Sequence, residues 1–486
     1  MATLESLPNE LIAHILSFLD SSSVLEPLFC DNAAEFLDEY YAARSAPDIG
    51  GEGSYQCRTH LKSASRVSRR WRQAALPHLF RHVLWTFERL EQPDVESDDG
   101  TRSELPRRLP QDKLPDLLQF LRGNNLASYV DGLTVYVPYP EHLVGKDADH
   151  VGRYGVLPST QRQASGQGFD MATSWGPGAV VRSDIIGHPT WDNNWFWQML
   201  LAELDLLRVS LVSSPAILAT MVSRKVFVST GSSFRMRHHV LSLSRESRAA
   251  TGAVFDADDM RAVLAQQTSD GTREAERRYS APPCDNLSCD LFSLRNWTSL
   301  LVNEGSSLPV YSTEAYGDMP PSPFLSLLCS DDPSTAYLFT RTLRRLAYVA
   351  IVPMATHIQA SLYLLAPPQL EELYVQIMPR DVNVKDFAYG GVDMEDILVE
   401  RDSIYGLLFA GIFIPEPGPT WEPLRVFETG DAADKLAWAE AVETVAASSS
   451  CWEVERRGRL VRNLGKEKRR RGGRPSVLET FNEAMW

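Results

Sequence analysis

The sequence lacks the short motifs that mark most enzymes and metalloproteins. It contains no Gly-x-x-x-x-Gly-Lys phosphate loop and no Gly-x-Ser-x-Gly nucleophile turn. Cys284 and Cys289 are too widely spaced for the usual zinc pair, and His78 and His82 lack the glutamate of a zinc-protease helix. We therefore expect no enzymatic activity, no catalytic residues, no metal site and no cofactor.

Positive charge and long apolar runs are also scarce. The chain has 48 Lys and Arg against 63 Asp and Glu, a net charge of −15, whereas nucleic-acid binding requires a basic face. The longest apolar run, 404–414, is too short to cross a bilayer, and no secretory signal is visible. The six cysteines are scattered, as in proteins with free thiols. We expect a cytoplasmic or nuclear protein, or one found in both, with neither nucleic acid nor membrane as a partner.

The composition indicates a folded protein with more than one domain. Its 44% hydrophobic and 23% charged residues are typical of packed structure, and one core rarely serves 486 residues. The acidic, turn-rich segment 91–100 is followed by Pro106 and Pro110, which predicts a linker over 91–112. The expected domains are therefore 1–90 and 113–486.

Two N-terminal segments have the spacing of amphipathic helices. In the first, from Leu7 to Asp20, apolar residues recur every three or four positions, and the proline and glutamate near its start suit a helix N-terminus. The second runs from Leu61 to Arg72 and is expected to end at Pro77. Two short helices cannot bury all of their apolar residues against each other, so something else must cover the rest. The residues that share the second apolar face are Leu61, Ala64, Val67 or Ser68, Trp71 and Ala75.

Together, Leu7-Pro-Asn-Glu-Leu-Ile-Ala-His-Ile-Leu-Ser-Phe-Leu19 and Leu61-Lys-Ser-Ala-Ser-Arg-Val-Ser-Arg-Arg-Trp-Arg72 resemble the F-box. This helical module docks onto the Skp adaptor of Skp-cullin-F-box ubiquitin ligases. The resemblance covers residues 4–84, with an unusually long interval between its halves. We predict that 26–60 is an inserted loop, in which 36–41 could form an extra helix. The alternative interpretation is a pair of ordinary core helices.

The resemblance implies a substrate receptor that performs no bond chemistry itself. Its F-box would bind the Skp adaptor and through it a cullin, and its C-terminal region would hold an unknown target protein. Two alternatives stay open: a scaffold whose F-box does not serve ubiquitination, and an enzyme with a pocket in the C-terminal region. Trp71 could also pack inside the module instead of contacting the adaptor. The adaptor-binding residues implied by the match are Leu7, Pro8, Leu11, Ile12, Ile15, Leu16, Val67 and Trp71.

Four later segments share one pattern, an apolar residue followed by others three, five and seven positions on. They are 130–137, 204–211, 343–350 and 370–377, with a remnant at 421–426, and each predicts a strand with one buried face. Leu346 and Leu373 are 373 − 346 = 27 residues apart, with a predicted helix over 354–365 between them, which resembles a leucine-rich repeat. Such patterns also mark buried strands of any α/β domain.

We therefore predict an α/β protein in which a small helical F-box precedes an irregular leucine-rich-repeat-like α/β solenoid. The solenoid carries long inserts at about 140–190 and 246–283. Further helices are predicted over 114–121, 256–267 and 433–447. The aromatic residues at 191, 195, 196 and 197 fit either a ligand platform or a helix anchored in a core. The basic run 466–474 is a nuclear localisation signal, a polyanion-binding patch or a solvated tail.

Overall fold

A computed structural model describes residues 7–19, 56–86, 116–136, 194–213, 218, 221–222, 239–248, 289–307, 322–328, 335, 338–359, 367–378, 394–413 and 421–463. The α-helices within these ranges are α1 (Asn9–Leu19), α2 (Gln56–Ala64), α3 (Arg69–Leu79), α4 (Asp116–Gly123), α5 (Asn194–Glu203), α6 (Asp290–Ser293), α7 (Pro323–Leu328), α8 (Ala355–Ile358), α9 (Met394–Ile412) and α10 (Lys435–Ser448). The strands are β1 (His82–Thr86), β2 (Gly132–Tyr136), β3 (Arg208–Ser213), β4 (His239–Ser244), β5 (Ser299–Ser306), β6 (Arg345–Ile351), β7 (Glu372–Gln376), β8 (Val426–Thr429), β9 (Trp452–Arg456) and β10 (Arg459–Arg462). A 3-10 turn spans Ala127–Tyr129 and a π-helical turn spans Leu338–Thr342.

The strands form one open sheet whose spatial order follows the chain closely. The order is β1 to β8, then β10 and β9 at the far edge. Strands β1–β3 are parallel, as are β5–β8, while β4 lies antiparallel between the two groups. Strand β10 pairs antiparallel with both β8 and β9. The protein is therefore mixed α/β with a mostly parallel sheet, as expected in outline. The antiparallel β4 and the β9–β10 hairpin depart from the uniform parallel arrangement that a leucine-rich repeat implies.

One face of the sheet carries a row of buried apolar side chains that are in register across nine strands. Alternation places these residues on the same face because successive strand residues point to opposite sides. The pairing of Leu346 with Leu373 confirms the predicted 27-residue spacing between β6 and β7. The row consists of Val83, Leu133, Val209, Leu243, Leu300, Leu346, Leu373, Phe427 and Leu460.

The predicted equivalence was wrong for two of the strand segments. Leu133 pairs with Val209 instead of Leu207, and Leu373 pairs with Phe427 instead of Leu424. In both cases the sequence pattern assigned to the row a leucine that lies before the strand, instead of the residue within the strand. Leu424 and Leu206, the residue next to Leu207, belong to a second buried row, which lies three positions before the first and packs ahead of six of the parallel strands. It consists of Val130, Leu206, Trp297, Leu343, Leu370 and Leu424.

The second N-terminal segment folds as two helices instead of the single helix predicted. Helix α2 ends at Ala64 and α3 begins at Arg69, with Ser68 as N-cap, its side-chain oxygen accepting a hydrogen bond from the Trp71 N–H at 3.3 Å. A serine at this position satisfies one of the amides that a helix start leaves unpaired. Pro77 does not end α3, which continues to Leu79.

The boundary between the helices and the sheet also differs from the prediction. Strand β1 begins at His82 and pairs with β2, so 82–86 belong to the sheet although they fall within the predicted 1–90 module. Helix α2 occupies 56–60, the end of the predicted inserted loop. The predictions for 36–41, 91–112, 140–190, 256–267 and 466–474, for most of 26–60 and 246–283, and for Cys284 lie outside the described residues.

Candidate protein-interaction surfaces

Helices α1, α2 and α3 form a three-helix unit with its own small core. This core is separate from the sheet core and contains the side chains of Ile12, Leu16, Leu61, Trp71 and Ala75. Leu7, Leu19, Ala64, Ala74 and Leu79 pack around it in half-buried positions. The helices are joined at their ends by Arg70, whose Nε donates to Asn9 Oδ1 at 2.7 Å and whose Nη2 donates to the Leu7 carbonyl oxygen at 2.5 Å. Arg70 therefore holds the beginning of α1 against the first turn of α3.

A second stripe of apolar residues on α1 points away from this core. Leu11, Ile15 and Phe18 are four and three residues apart and so share one side of the helix. Their exposed fractions are 48%, 38% and 77%, and Val67 in the turn between α2 and α3 is 57% exposed. Because Arg70 fixes the start of α1 to α3, Val67 lies at the same end of the unit as Leu7. We call Leu11, Ile15, Phe18 and Val67 the apolar face.

The structure divides the sequence-predicted adaptor residues into two groups. Leu11, Ile15 and Val67 belong to the apolar face, Pro8 is exposed beside it, and Leu7 is half-buried. Ile12, Leu16 and Trp71 form the small core and have almost no surface left for a partner. Trp71 thus packs inside the module, the alternative that the sequence left open. Sequence reasoning left Phe18 out of the set, although its position seven residues after Leu11 could have identified it.

A shallow groove of about 310 Å³ lies on the face of the sheet opposite the core, across β3 to β8 and β10. Its lining combines small side chains with larger ones such as Leu301 and Tyr374. Its margin carries ion pairs: Arg345 lies 2.9 Å from Glu246 and 3.1 Å from Glu372, and Arg459 lies 2.7 Å from Glu428. We call this the sheet groove, and its floor includes Ser242, Ser244, Ser299 and Ala347.

A buried carboxylate at the end of β5 has only structural partners. Glu304 accepts hydrogen bonds from Ser322 Oγ at 2.5 Å, from the Phe324 N–H at 3.2 Å and from Tyr348 OH at 2.7 Å, and His357 Nε2 is 2.8 Å from it. Burial acts to raise the pKa of Glu304, but the charge and hydrogen bond of His357 outweigh it and bring the pKa to about 2. Glu304 is therefore an ionised group that joins β5, β6 and α8.

A second, half-buried carboxylate lies just after β8, beside the carboxyl end of β7. Asp431 accepts hydrogen bonds from the Ile377 N–H at 2.9 Å, from the Met378 N–H at 3.0 Å and from Tyr405 OH at 2.5 Å. Burial raises the pKa of Asp431 to about 6, although all three hydrogen bonds act to lower it. Burial and the neighbouring carboxylate also raise the pKa of Tyr405 well above its usual value. This cluster ties α9 to the ends of β7 and β8.

The aromatic cluster and the two histidines that the sequence offered as candidates occupy positions explained by the fold. Phe196 and Trp197 are fully buried on α5, and Trp197 Nε1 donates to the Met221 carbonyl oxygen at 2.9 Å, so this part of the aromatic cluster is core. His78 lies in the last turn of α3, whereas His82 begins β1. Within the described ranges, no group of three or more potential metal ligands comes together, and no helix is long and apolar enough to span a membrane.

Comparison of the chain with protein-family models, with curated proteins and with solved structures found no match.

Proposed function

We propose that the protein is the substrate receptor of a Skp-cullin-F-box ubiquitin ligase. The three-helix unit binds the Skp adaptor and through it a cullin, while the sheet region binds a target protein. The chain itself performs no bond chemistry. Its contribution is to raise the effective concentration of the target near a ubiquitin-charged enzyme, which makes transfer to a lysine nearly intramolecular. Such ligases act in the cytoplasm and the nucleus.

The observation that carries this proposal is the exposure of the apolar face. Leu11, Ile15 and Val67 are three of the residues through which the F-box resemblance implies adaptor binding, and the described part of the chain leaves all three partly exposed. If they had been sealed in a core, the two segments would have been ordinary core helices. Exposed apolar side chains that cluster on one side of a small unit are typical of a protein-binding surface.

The buried ionisable groups favour a receptor over an enzyme. Glu304 and Asp431 are the strongest candidates for catalytic groups, because catalytic residues often have perturbed pKa values. Each is fully engaged by backbone amides and side chains that join elements of the sheet region. Neither lines the sheet groove. Their perturbed pKa values therefore have a sufficient structural explanation.

The sheet groove is the surface we assign to the target. An extended segment of a target can lie over the small side chains in its lining. If that segment carries both positive and negative side chains, it can form new ion pairs with the charged residues at the margin. Its lining also includes the half-buried hydroxyl side chains of Ser244 and Ser299. A target could therefore be held by polar contacts across several strands.

The test combines adaptor capture with target turnover. A full-length Leu11→Ala/Ile15→Ala/Val67→Ala variant should fold normally but lose co-purification of the Skp adaptor. The matched control is Val399→Ala/Leu436→Ala, which removes side chains that are 58% and 78% exposed on α9 and α10. This control should retain the adaptor at the wild-type level. Undiminished capture by the triple variant would count decisively against the proposal.

Target turnover separates a ligase receptor from a scaffold. Proteins captured through residues 113–486 should accumulate when the cullin ligase is inhibited, and they should accumulate equally with the triple variant in the absence of inhibitor. If the adaptor is captured but the abundance of every such protein stays unchanged, the chain is a scaffold whose F-box does not serve ubiquitination.

A further inference from the structure

The turn and helix beside Val67 carry a concentration of positive charge. Residues 58–87 contain seven Lys and Arg and no Asp or Glu, in a chain whose net charge is −15. Four of these cations are exposed, and within the described part of the chain none of the four makes an ion pair. They are Lys62, Arg66, Arg69 and Arg72.

The placement of these cations is unfavourable for the helix that carries them. Arg69 and Arg72 lie in the first turn of α3, where the aligned peptide dipoles create a partial positive charge. Helix starts favour acidic side chains, but the first turn of α3 contains none. Arg70 in the same turn is accounted for by its hydrogen bonds to Asn9 and Leu7. Arg69 and Arg72 have no such compensation in the described structure, so their charge is not explained by folding.

Two of these cations are close to Val67 in the sequence. Arg66 and Arg69 flank Val67, which is 57% exposed. The exposed side of α1 is thus apolar at Leu11, Ile15 and Phe18, whereas the α2–α3 turn and the start of α3, which Arg70 joins to the start of α1, carry Val67 and the cations. An apolar centre with a charged margin is the usual arrangement of a specific protein interface.

We infer that this surface binds a protein whose docking site is apolar at its centre and rich in carboxylates along the edge that faces Arg66, Arg69 and Arg72. The inference rests on the proposed function and adds the charge of the partner to it. A protein partner is favoured over a nucleic acid because the apolar face is part of the same surface and because the chain as a whole repels polyanions. The cations then act mainly by steering the encounter.

The experiment measures the association of full-length protein with a purified Skp adaptor at low and high salt. In the Arg66→Gln/Arg69→Gln/Arg72→Gln variant, the association rate at low salt should fall by about tenfold, since steering typically contributes factors of 10 or more. At high salt the difference from wild type should shrink to about twofold or less, because the Debye length is then only a few Å. The variant should melt no lower than wild type, since the charges removed oppose the helix dipole.

The matched control removes the same charge from another part of the protein. Arg341→Gln/Arg425→Gln/Lys435→Gln neutralises three exposed cations on the sheet region, and it should leave the salt dependence of association nearly unchanged. A variant that folds and binds the adaptor with wild-type rates at low salt overturns the inference and leaves the proposed function standing. Absence of adaptor binding by the wild-type protein overturns both. If a 20-base-pair DNA duplex competes with the adaptor for the wild-type protein and not for the arginine variant, the surface is a nucleic-acid site and the inference is wrong.

Discussion

The neighbouring residues Leu11 and Ile12 should separate binding from folding. They are similar in size and adjacent on α1, but Leu11 is 48% exposed whereas Ile12 is fully buried with Leu16 and Trp71. Replacing a buried isoleucine by alanine typically costs about 2–5 kcal/mol, because transfer energy is lost and a cavity remains. A change at an exposed site usually stays within about 0.5 kcal/mol. Ile12→Ala should therefore destabilise the three-helix unit strongly, and Leu11→Ala should not.

For protein that remains folded, adaptor binding should be weakened more by Leu11→Ala than by Ile12→Ala. Full burial of a leucine is worth about 1.5–3 kcal/mol, and about half of this surface remains for the adaptor to cover. Leu11→Ala should then cost about 1 kcal/mol of binding, or about fivefold in Kd. Ile12→Ala should weaken binding only to the extent that the unit is unfolded.

Hydrogen exchange of the full-length protein gives the stability readout. Amides of α1 and α3 should exchange much faster in Ile12→Ala, while those of β6 and β7 serve as an internal reference that stays unchanged. Titration calorimetry with the adaptor gives the affinity of Leu11→Ala. Equal loss of protection in the two variants, or an unchanged Kd for Leu11→Ala, would refute the division of α1 into a core side and a partner side.

Three further predictions concern the sheet region and can be measured by urea unfolding. Since the pKa of Asp431 is raised from 3.8 to about 6, its contribution to stability is fully present below about pH 4 and is lost as pH rises through 6; Asp431→Asn should remove this dependence, on the order of 3 kcal/mol. Glu304→Gln should cost about 1–3 kcal/mol at pH 7, because it replaces the ionised acceptor of the hydrogen bonds from Ser322 Oγ, the Phe324 N–H and Tyr348 OH, and the loss should persist at pH 5 because the pKa of Glu304 is about 2. Gly430→Ala should destabilise by about 1–3 kcal/mol, since an added Cβ would lie 2.4 Å from Tyr374 OH, whereas Gly406→Ala on α9 meets nothing within 4 Å and should stabilise by about 0.5–1 kcal/mol.

Sequence periodicity predicted the strands of the sheet better than it predicted their alignment. The spacing of Leu346 and Leu373 was correct because β6 and β7 both begin two residues after their anchoring leucine. Leu424 was misplaced because the two buried rows of the sheet both use leucine, and Leu207 was misplaced because it follows the buried Leu206 and precedes the strand, so the pattern fits in more than one frame. Strand β5 was missed because Trp297, Leu300 and Val302 are followed by Glu304 at the last position of the pattern, where an apolar residue is required. The register of a sheet depends both on the hydrophobic pattern and on the connections between strands, and the local pattern describes only the first of these.

The candidate surface could be predicted as a pair of helices but not as a set of exposed residues. Helix α1 has two apolar stripes, one with Leu11 and Ile15 and one with Ile12 and Leu16, and nothing local distinguishes them. Burial of the second stripe depends on contacts with Leu61 and other residues more than 40 positions away. The apolar periodicity of the second segment also continues across the break at Ser68. The sequence pattern therefore does not indicate the turn that the N-cap hydrogen bond of Ser68 marks in the structure.

Helix α3 determines how the two interaction surfaces can work together. Trp71 and Ala75 pack in the small core, whereas Leu76 and Phe80 contact the core of the sheet, so one rigid helix belongs to both units. Only two residues separate α3 from β1. A flexible connection would spread the target over a large volume and lower its effective concentration at the ubiquitin-charged enzyme. Because the helix that bears the basic margin also contacts the core of the sheet, the proposed function implies that an adaptor on the apolar face would be held in a fixed orientation relative to a target in the sheet groove.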